Sequence, residues 1–198
     1  MIIKLDLTID ISKLTSYLDY VQKTNPPFMK KNGPWGGWSI TSSTGEINDG
    51  WQTGEKINDS NISEDEKNKL KEFFSTTKFD KPTPIYNEYI EELLISIKQS
   101  FPTLSLTRLR IALLKPHPES TSYWHQDGEI IKGQRAFRLH IPIVTNENCF
   151  FEYQHERHHL KADGSIYLIE INQLHRALNL SDKNRYHLIA DVSQKLGI

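Results

Sequence analysis

The stretch SIYLIEINQLHRALNLSDKNRYHLIADV, residues 165–192, contains three short runs in which apolar side chains recur with a period close to two. The runs are 165–171, 175–180 and 185–192, and the polar turn SDKN separates the last two. This period is typical of β-strands, because successive side chains of a strand point to opposite faces. The stretch therefore predicts three consecutive strands.

The same pattern extends back to about residue 105. TRLRIALLK (107–115), AFRLHIPIVT (136–145) and CFFEYQ (149–154) also have the composition of strands, and the polar segments TNEN and KADG are suited to turns. No helical period interrupts them. So many short strands at this spacing predict an antiparallel sandwich or barrel.

Residues 1–104 have mostly helical patterning. Asp10 is placed to cap a first helix, and Ser63 with Glu66 forms a capping box ahead of a second. Thr83-Pro84 is expected to open a third helix, since proline is favoured in the first helical turn. We therefore expect a helical annex before the β-rich part.

The segment 33–55 is rich in glycine and contains Trp35, Trp38 and Trp51. Its glycines and Asp-Gly pair predict a loop with one or two short strands. The tryptophans either anchor this loop on the core, as tryptophan often does, or line a pocket as a substrate wall or lid.

The composition narrows the class of protein. A chain of 198 residues is long enough for one domain with a real core, and a net charge of −1 gives no electrostatic reason to expect nucleic acid as a partner. The single cysteine, Cys149, excludes an internal disulfide. No apolar run approaches the length of a membrane span or a signal peptide, so we expect a cytoplasmic protein without membrane contact.

The most explicit catalytic string is His155-Glu156-Arg157-His158-His159, which has the H-E-x-x-H spacing of zinc proteases. That signature works on a helix, where the first and last histidines lie one turn apart. Here the string lies between two predicted strands, and in an extended chain His155 and His159 would be about 13 Å apart. We expect a solvated hairpin end instead of a zinc site.

A better metal site is predicted by SYWHQDGE, residues 122–129. His125 and Asp127 share one face of an extended segment, and His175 follows fifty residues later at the start of a strand. Two histidines and one carboxylate form the facial ligand set of non-haem Fe(II) oxygenases. Arg185, ten residues further on, is suited to bind the far carboxylate of an oxo-acid cosubstrate. The alternative is a hydrogen-bonded His/Asp surface pair with His175 packed in the sheet.

The order of RLRIALLKP, WHQDG, FRLHIPIV, the strand 164–171, LHRALNL and RYHLIADV resembles the aspartyl/asparaginyl β-hydroxylase family over residues 105–193. That family belongs to the 2-oxoglutarate- and Fe(II)-dependent dioxygenases and includes similar bacterial proline hydroxylases. The length predicts a single domain, 1–198. The resemblance implies that its core is a double-stranded β-helix of the jelly-roll or cupin-like type, and we expect the N-terminal helices to pack on it.

The resemblance also implies the roles of individual residues. His125, Asp127 and His175 would hold iron, and Arg185 would bind the distal carboxylate of 2-oxoglutarate. His140 would contact the end of 2-oxoglutarate near the iron. With O2, such an enzyme hydroxylates an unactivated C–H bond of an amino acid, free or within a peptide or protein, and releases succinate and CO2.

Two arginines are candidates for contact with a substrate carboxylate. By resemblance Arg138, which shares a strand face with His140, would bind it. Arg108 and Arg110 share one face of another strand, so one of them is expected to reach into the barrel, and Arg110 is the candidate. Ordinary salt bridges are the alternative for both. His187 shares a face with Arg185 and could support it.

Two other classes of protein share parts of this pattern. One is a cupin-like metal-binding or sugar-modifying protein without oxygenase activity, and the other is a zinc hydrolase with the same three ligands. Arg185 favours the dioxygenase, because a barrel that only binds a metal has no need of a cation ten residues past its last ligand.

Overall fold

The computed structural model describes residues 1–31, 33–49, 62–127 and 136–193. In these ranges the chain forms twelve strands and three α-helices. In chain order they are β1 (Ile2–Thr8), α1 (Ile11–Thr24), β2 (Phe28–Met29), β3 (Trp35–Ser39), β4 (Thr41–Ser42), α2 (Glu64–Thr76), β5 (Lys81–Pro82), α3 (Glu88–Ser100), β6 (Ser105–Leu114), β7 (Phe137–Val144), β8 (Cys149–Tyr153), β9 (Glu156–His158), β10 (Ser165–Glu170), β11 (His175–Asn179) and β12 (Arg185–Ser193). A 3₁₀ turn lies at Glu119–Thr121.

The large sheet has seven strands in the order β1-β10-β7-β12-β6-β3-β2, and all its neighbours are antiparallel. A small sheet, β11-β8-β9, faces it. The six strands predicted from the C-terminal pattern are all present, in β6, β7, β8, β10, β11 and β12. The core is thus the predicted double-stranded β-helix, or jelly roll.

The N-terminal half also contributes to the large sheet. β1 pairs with β10 at one edge, and β3 pairs with β6 on the other side. β3 and β4 match the short strands expected in the Trp/Gly-rich segment. β1 was not predicted, although Ile3, Leu5 and Leu7 alternate along it.

Alternation along the large sheet divides its side chains between two layers. On one face Leu109, Ile111, Leu139, Ile141 and Leu188 form one core cluster with Leu14 and Leu18 of α1 and Ile90 and Ile97 of α3. The opposite face, toward the small sheet, carries polar side chains of the same three strands: Arg110, Arg138, His140, Arg185 and His187. The helices therefore cover the apolar face and leave the polar face to the interior of the barrel.

Two of the predicted helix caps are confirmed. The Asp10 carboxylate accepts a hydrogen bond from the backbone N–H of Ser12 at 3.0 Å, at the start of α1. Ser63 and Glu66 form a reciprocal capping box at the start of α2. Each cap satisfies backbone N–H groups that have no partner within the helix.

The prediction for the third helix was wrong about its start. α3 begins at Glu88, and the Asn87 side chain caps it. Thr83 and Pro84 precede it, because the Thr83 hydroxyl donates to the Ser39 carbonyl at 2.7 Å and so ties this segment to the sheet. A tertiary hydrogen bond has overridden the local preference of the Thr-Pro pair.

The tryptophans of segment 33–55 have different environments. Trp38 is fully buried in the core and stacks on Tyr186, with 6.4 Å between ring centroids. Trp35 is half-buried and lines the cavity inside the barrel. Trp51 lies outside the described residues. Trp38 is therefore an anchor on the core, and Trp35 lines a pocket.

The H-E-x-x-H string lies in a hairpin, as predicted. β8 and β9 pair with Tyr153 opposite Glu156, so His155 lies in the turn. His158 bonds the Glu156 carboxylate at 3.0 Å, and His159 bonds the Cys149 carbonyl at 3.1 Å. Without a helix these histidines cannot share one ion in the way a zinc protease requires.

None of the helices in the described ranges is long and apolar enough to cross a membrane.

Candidate active site

The predicted metal ligands His125, Asp127 and His175 converge on one point. One ligand atom of each lies within 4.8 Å of the other two. Asp127 Oδ1 is 4.0 Å from His125 Nε2, and Asp127 Oδ2 is 3.8 Å from His175 Nε2. Among the described residues this is the one group of three such side chains able to hold a metal ion.

Backbone hydrogen bonds bring the three ligands together. His125 and His175 form an isolated antiparallel bridge, in which each backbone N–H donates to the other's carbonyl at 2.9 Å. Asp127 N–H donates to the Ile171 carbonyl at 2.9 Å. The segment of His125 and Asp127 is thereby extended beside β11, so the two side chains leave on the same face.

Both histidine rings are oriented by their second nitrogen. Nδ1 of His175 lies 2.8 Å from the Gln173 carbonyl, and Nδ1 of His125 lies 3.3 Å from the Tyr123 carbonyl. A proton on each Nδ1 leaves the Nε2 lone pair directed at the site. Burial and then the neighbouring His125 ring lower the pKa of His175 to about 4, so this imidazole is neutral near pH 7. Two imidazoles and a carboxylate suit Fe(II).

Arg138 holds the carboxylate of this group. Its Nη1 donates to Asp127 Oδ2 at 2.6 Å, and its Nε donates to Asp191 Oδ1 at 2.9 Å. Burial by itself would raise the pKa of the Asp127 carboxyl, but the charge of Arg138 and the two imidazoles outweigh it and hold that pKa well below its usual value. Asp127 is therefore ionised and fixed before any metal binds.

Two further arginines meet the same Asp191. Arg110 Nη2 lies 3.2 Å from Oδ1, and Arg108 Nη1 lies 3.7 Å from Oδ2. Burial and then the neighbouring Arg108 lower the pKa of Arg110 to about 9. Arg138 and Arg110, the candidates for substrate contact, thus have internal carboxylate partners that the sequence analysis did not name. Their contact with a substrate stays a prediction.

The strand β6 is bulged beside this cluster. Arg110 pairs with Ile189 and Thr107 pairs with Asp191, so three steps along β6 oppose two along β12. Arg108 lies in the bulge with a φ of 54°, in the left-handed region that non-glycine residues rarely adopt. Bulges and such conformations are common where a strand re-aims a side chain at a functional site.

Arg185 lies at the other end of β12 and has a different environment. It is 5% exposed, and its Nε and Nη2 are each 3.0 Å from a ring nitrogen of His187. None of the described carboxylates lies within ion-pair distance of it. Burial lowers the pKa of Arg185 to about 10, and burial with the charge of Arg185 keeps the pKa of His187 well below its usual value. A buried cation therefore rests against a neutral ring.

His140 lies between this arginine and the metal ligands. Its Nδ1 is 3.4 Å from His187 Nδ1, and its buried Nε2 has no hydrogen-bond partner among the described residues. The ring meets Phe151 edge-on, with 6.0 Å between centroids. A buried ring nitrogen without a partner is costly, so a ligand that reaches it is favoured.

One cavity of about 90 Å³ connects these groups. It is lined by the three metal ligands together with Arg138, His140 and Arg185. Phe151, Tyr123 and Trp35 also line it, and the sequence analysis did not assign Phe151 or Tyr123 to the site. For Phe151 the signal was its position in the alternating run CFFEYQ, and for Tyr123 its place two residues before His125.

The model of the aspartyl/asparaginyl beta-hydroxylase family matches residues 49–195. The chain belongs to this family. Its members are 2-oxoglutarate- and iron(II)-dependent dioxygenases, as the sequence resemblance implied, and the enzyme class and the cofactors Fe(II), 2-oxoglutarate and O2 are thereby confirmed. The family does not favour a cupin-like protein without oxygenase activity or a zinc hydrolase.

Solved structures of the same fold agree in topology. A viral collagen prolyl hydroxylase from Paramecium Bursaria Chlorella virus-1, in complex with 2-oxoglutarate, is 12% identical with a TM-score of 0.50, over 96% of this chain and 94% of that one. A 2OG-Fe(II) oxygenase family oxidoreductase from Burkholderia pseudomallei is 11% identical with a TM-score of 0.50, over 97% of this chain and 84% of that one. No curated protein matches by sequence. At such identities the likeness concerns the fold alone.

Proposed function

We propose that this dioxygenase hydroxylates an unactivated C–H bond of an amino acid, free or within a peptide or protein, and releases succinate and CO2. The observation that carries the proposal is the presence in one cavity of the His125–Asp127–His175 group and of Arg185, a buried cation that has no carboxylate partner among the described residues. These two features suit the two ends of 2-oxoglutarate.

His125, Asp127 and His175 would hold the iron. When bound, iron(II) supplies the activation of O2, in which 2-oxoglutarate is oxidised to succinate and CO2 while one oxygen atom is added to the substrate. The protein's contribution is orientation. The Nδ1 contacts fix both rings, and Arg138 holds one oxygen of Asp127 so that the other is left for the metal.

Arg185 would bind the distal carboxylate of 2-oxoglutarate. A guanidinium offers two parallel N–H donors, and in a buried site this pairing is much stronger than in water. His187 orients the guanidinium from behind. His140 offers its Nε2, which has no partner among the described residues, to the cosubstrate nearer the metal. The cavity thus presents donors along the length of a dicarboxylate.

Arg110 and Arg138 line the same cavity and would face the substrate. Arg108, Arg110 and Arg138 meet Asp127 and Asp191 in the contacts described above, and the charge of Asp49 also acts on Arg108. Arg110, which lines the cavity, would reach a substrate carboxylate at this end of it. The roles of Arg138 as clamp of Asp127 and as contact of the substrate are compatible, since a guanidinium has five N–H donors.

We also propose that the chain works as one domain. α1 and α3 share a core cluster with β6, β7 and β12, so the annex 1–104 and the β-core 105–193 stabilise each other.

The test of the iron and cosubstrate roles is the weak visible absorption that appears when Fe(II) and 2-oxoglutarate are added together without oxygen. We expect the band in the wild-type protein and its loss in His125→Ala. In Arg185→Met we expect the band only at much higher 2-oxoglutarate concentrations. A band of equal strength in His125→Ala, or none in the wild type, would contradict the assignment.

The test of the reaction is succinate release across a panel of free amino acids and short peptides. We expect at least one member to raise turnover above the uncoupled background and to gain one oxygen atom by mass spectrometry. If none does so while the anaerobic band is present, the amino-acid substrate is wrong and the cofactor assignment stands.

A further inference from the structure

A second groove adjoins the catalytic cavity on its outer side. It has a volume of about 300 Å³, more than the catalytic cavity itself. The two share Lys30, Trp35, Tyr123, His125 and Ala177 in their linings, so they are continuous. A ligand that reaches the metal ligands can therefore extend into the groove.

One wall of the groove is the tight turn between β2 and β3. Lys30 N–H donates to the Trp35 carbonyl at 2.9 Å, which closes the turn. Lys115 N–H, just beyond β6, donates to the Pro34 carbonyl at 2.9 Å, which fixes the turn to the barrel. Lys31 and Gly33 of this turn line the groove.

The opposite wall is the segment from the 3₁₀ turn to the first metal ligand. The Ser122 hydroxyl donates to the Ala177 carbonyl at 3.3 Å, and His117 N–H donates to the Asn179 carbonyl at 3.1 Å. Both contacts join this segment to β11. Both walls of the groove are thus held in place by hydrogen bonds to backbone carbonyls of the protein itself.

The chemistry of the lining is basic and aromatic. Among the described residues that line the groove there are two lysines, Lys30 and Lys31, and no aspartate or glutamate. Trp35 and Tyr123 offer ring faces, and Tyr123 is 50% exposed. The buried Nε2 of His117 has no hydrogen-bond partner among the described residues.

Glu119, two residues before Thr121 of this wall, does not line the groove. Its Oε1 lies 3.3 Å from Arg157 Nη2 and also pairs with Arg176. Arg176 in turn lies over the Trp124 ring, 4.6 Å from its centroid. These contacts pair the Glu119 carboxylate with two arginines on the side of the small sheet, so it adds no negative charge to the lining of the groove.

We propose that this groove binds an acidic side chain of the substrate two or more residues from the one that is hydroxylated, so that the substrate is a peptide segment rich in aspartate or glutamate. The inference rests on the proposed function. A free amino acid would occupy the small cavity and leave the groove to water. A site of about 300 Å³ is by itself at the lower bound of known ligand sites, large enough for a further part of a ligand.

The test uses two fluorescein-labelled hexapeptides that differ only in three glutamates against three glutamines. Their binding to the full chain with Fe(II) and 2-oxoglutarate, without oxygen, is followed by fluorescence anisotropy. We expect the glutamate peptide to bind about tenfold more tightly at low salt, and the difference to shrink as salt is raised. Equal affinity of the two peptides, or equal affinity of free glutamate and the peptide, would overturn the proposal.

The variant Lys31→Glu tests whether the preference for the glutamate peptide arises in the groove. We expect it to weaken the glutamate peptide about fivefold, the effect of one exposed ion pair lost and one repulsion gained, and to leave the glutamine peptide unchanged. Lys13→Glu is the matched control. It makes the same charge change on α1, which packs on the opposite face of the large sheet. If both variants weaken the glutamate peptide equally, its preference follows from the net charge of the protein, and the proposed binding in the groove is wrong.

The visible absorption of the wild-type protein with Fe(II) and 2-oxoglutarate, without oxygen, distinguishes a failure of the groove assignment from a failure of the iron and cosubstrate roles. If the band is present and the peptides bind equally, the groove assignment fails and the dioxygenase site stands. If the glutamate peptide is preferred and the band is missing, the groove stands and the iron and cosubstrate roles fail.

Discussion

At the two ends of β12 a buried arginine is held in two different ways. At the Asp191 end, Arg138 donates to two carboxylates, those of Asp191 and Asp127. At the start of the strand Arg185 is more deeply buried, 5% exposed against 16% for the Arg138 side chain, but it contacts the neutral ring of His187 and no described carboxylate. The same type of side chain is neutralised by carboxylates at one end, and at the other it has no counter-charge within the part of the chain that the structure describes.

The difference separates a structural cation from a ligand-binding one. A buried ion pair compensates most of its own desolvation, whereas a buried charge without a counter-ion costs stability. A fold retains such a charge where a ligand supplies the missing partner. The comparison therefore makes opposite predictions for the two ends of the strand: loss of Arg185 affects binding, and loss of Asp191 affects folding.

The largest effect is expected for Arg185→Met. The variant should raise the Michaelis constant for 2-oxoglutarate on the order of 100-fold, because a buried charged contact is lost. The free energy of unfolding without cosubstrate should stay the same or rise, since an uncompensated charge is removed. Titration of 2-oxoglutarate and urea denaturation measure the two quantities. A destabilised variant with normal affinity for 2-oxoglutarate would reverse the comparison.

Asp191→Asn tests the other end. It leaves Arg108, Arg110 and Arg138 with one carboxylate fewer, and we expect the free energy of unfolding to fall by about 2 kcal/mol. The value is below that of a fully buried pair because the Asp191 side chain is 28% exposed. Urea denaturation of the metal-free protein measures it. Wild-type stability of this variant would show that the cluster of arginines is not held by Asp191.

Arg138→Met tests whether the arginine at the Asp191 end of β12 also positions the metal ligand Asp127. Asp127 loses its 2.6 Å hydrogen bond and becomes free to rotate, so we expect Fe(II) affinity to fall about tenfold. Arg138→Lys is the matched control, since it keeps the charge and loses the two-point contact. Competition with a coloured chelator under anaerobic conditions measures the affinity. Unchanged affinity in Arg138→Met would assign this arginine to the substrate alone.

The smallest effect is expected from pH. The pKa of His187 is well below 6.5 in the folded protein, because burial and the charge of Arg185 disfavour its cation. The unfolded chain takes up this proton near pH 6.5, so the unfolded state binds more protons below that pH and stability falls as pH is lowered. His187→Gln should reduce the slope between pH 6.5 and 5 by about 1 kcal/mol per pH unit.

The measurement is the urea midpoint at several pH values in this range. His140 has a lowered pKa as well and should leave part of the slope in the variant. An unchanged slope in His187→Gln would mean that His187 is protonated in the folded state, and Arg185 would then face a second cation.

The strands and the convergence of the metal ligands could be predicted because both follow from local patterns. Period two identified β6, β7 and β12, and H-x-D placed His125 and Asp127 on one face. Arg185 stood out because it lies ten residues past the last metal ligand, at the start of a predicted strand. These inferences needed only the spacing of residues along the chain.

The partners of the arginines could not be predicted in the same way. Asp191 meets Arg138 only because β12 and β7 pair in one particular register, and register is set by tertiary packing. One signal was present, since Asp191 belongs to the same alternating set as Arg185 and His187. The start of α3 was missed for a similar reason, because Thr83 bonds a distant strand.

The bridge between His125 and His175 has a consequence for how this site tolerates change. The two ligands face each other as partners in an antiparallel pair. An insertion of one residue between Ser122 and His125 would turn Trp124 toward the metal in place of the imidazole, and a deletion would turn Gln126 toward it. Homologues and designed variants should therefore keep the count of residues fixed from the 3₁₀ turn to Asp127.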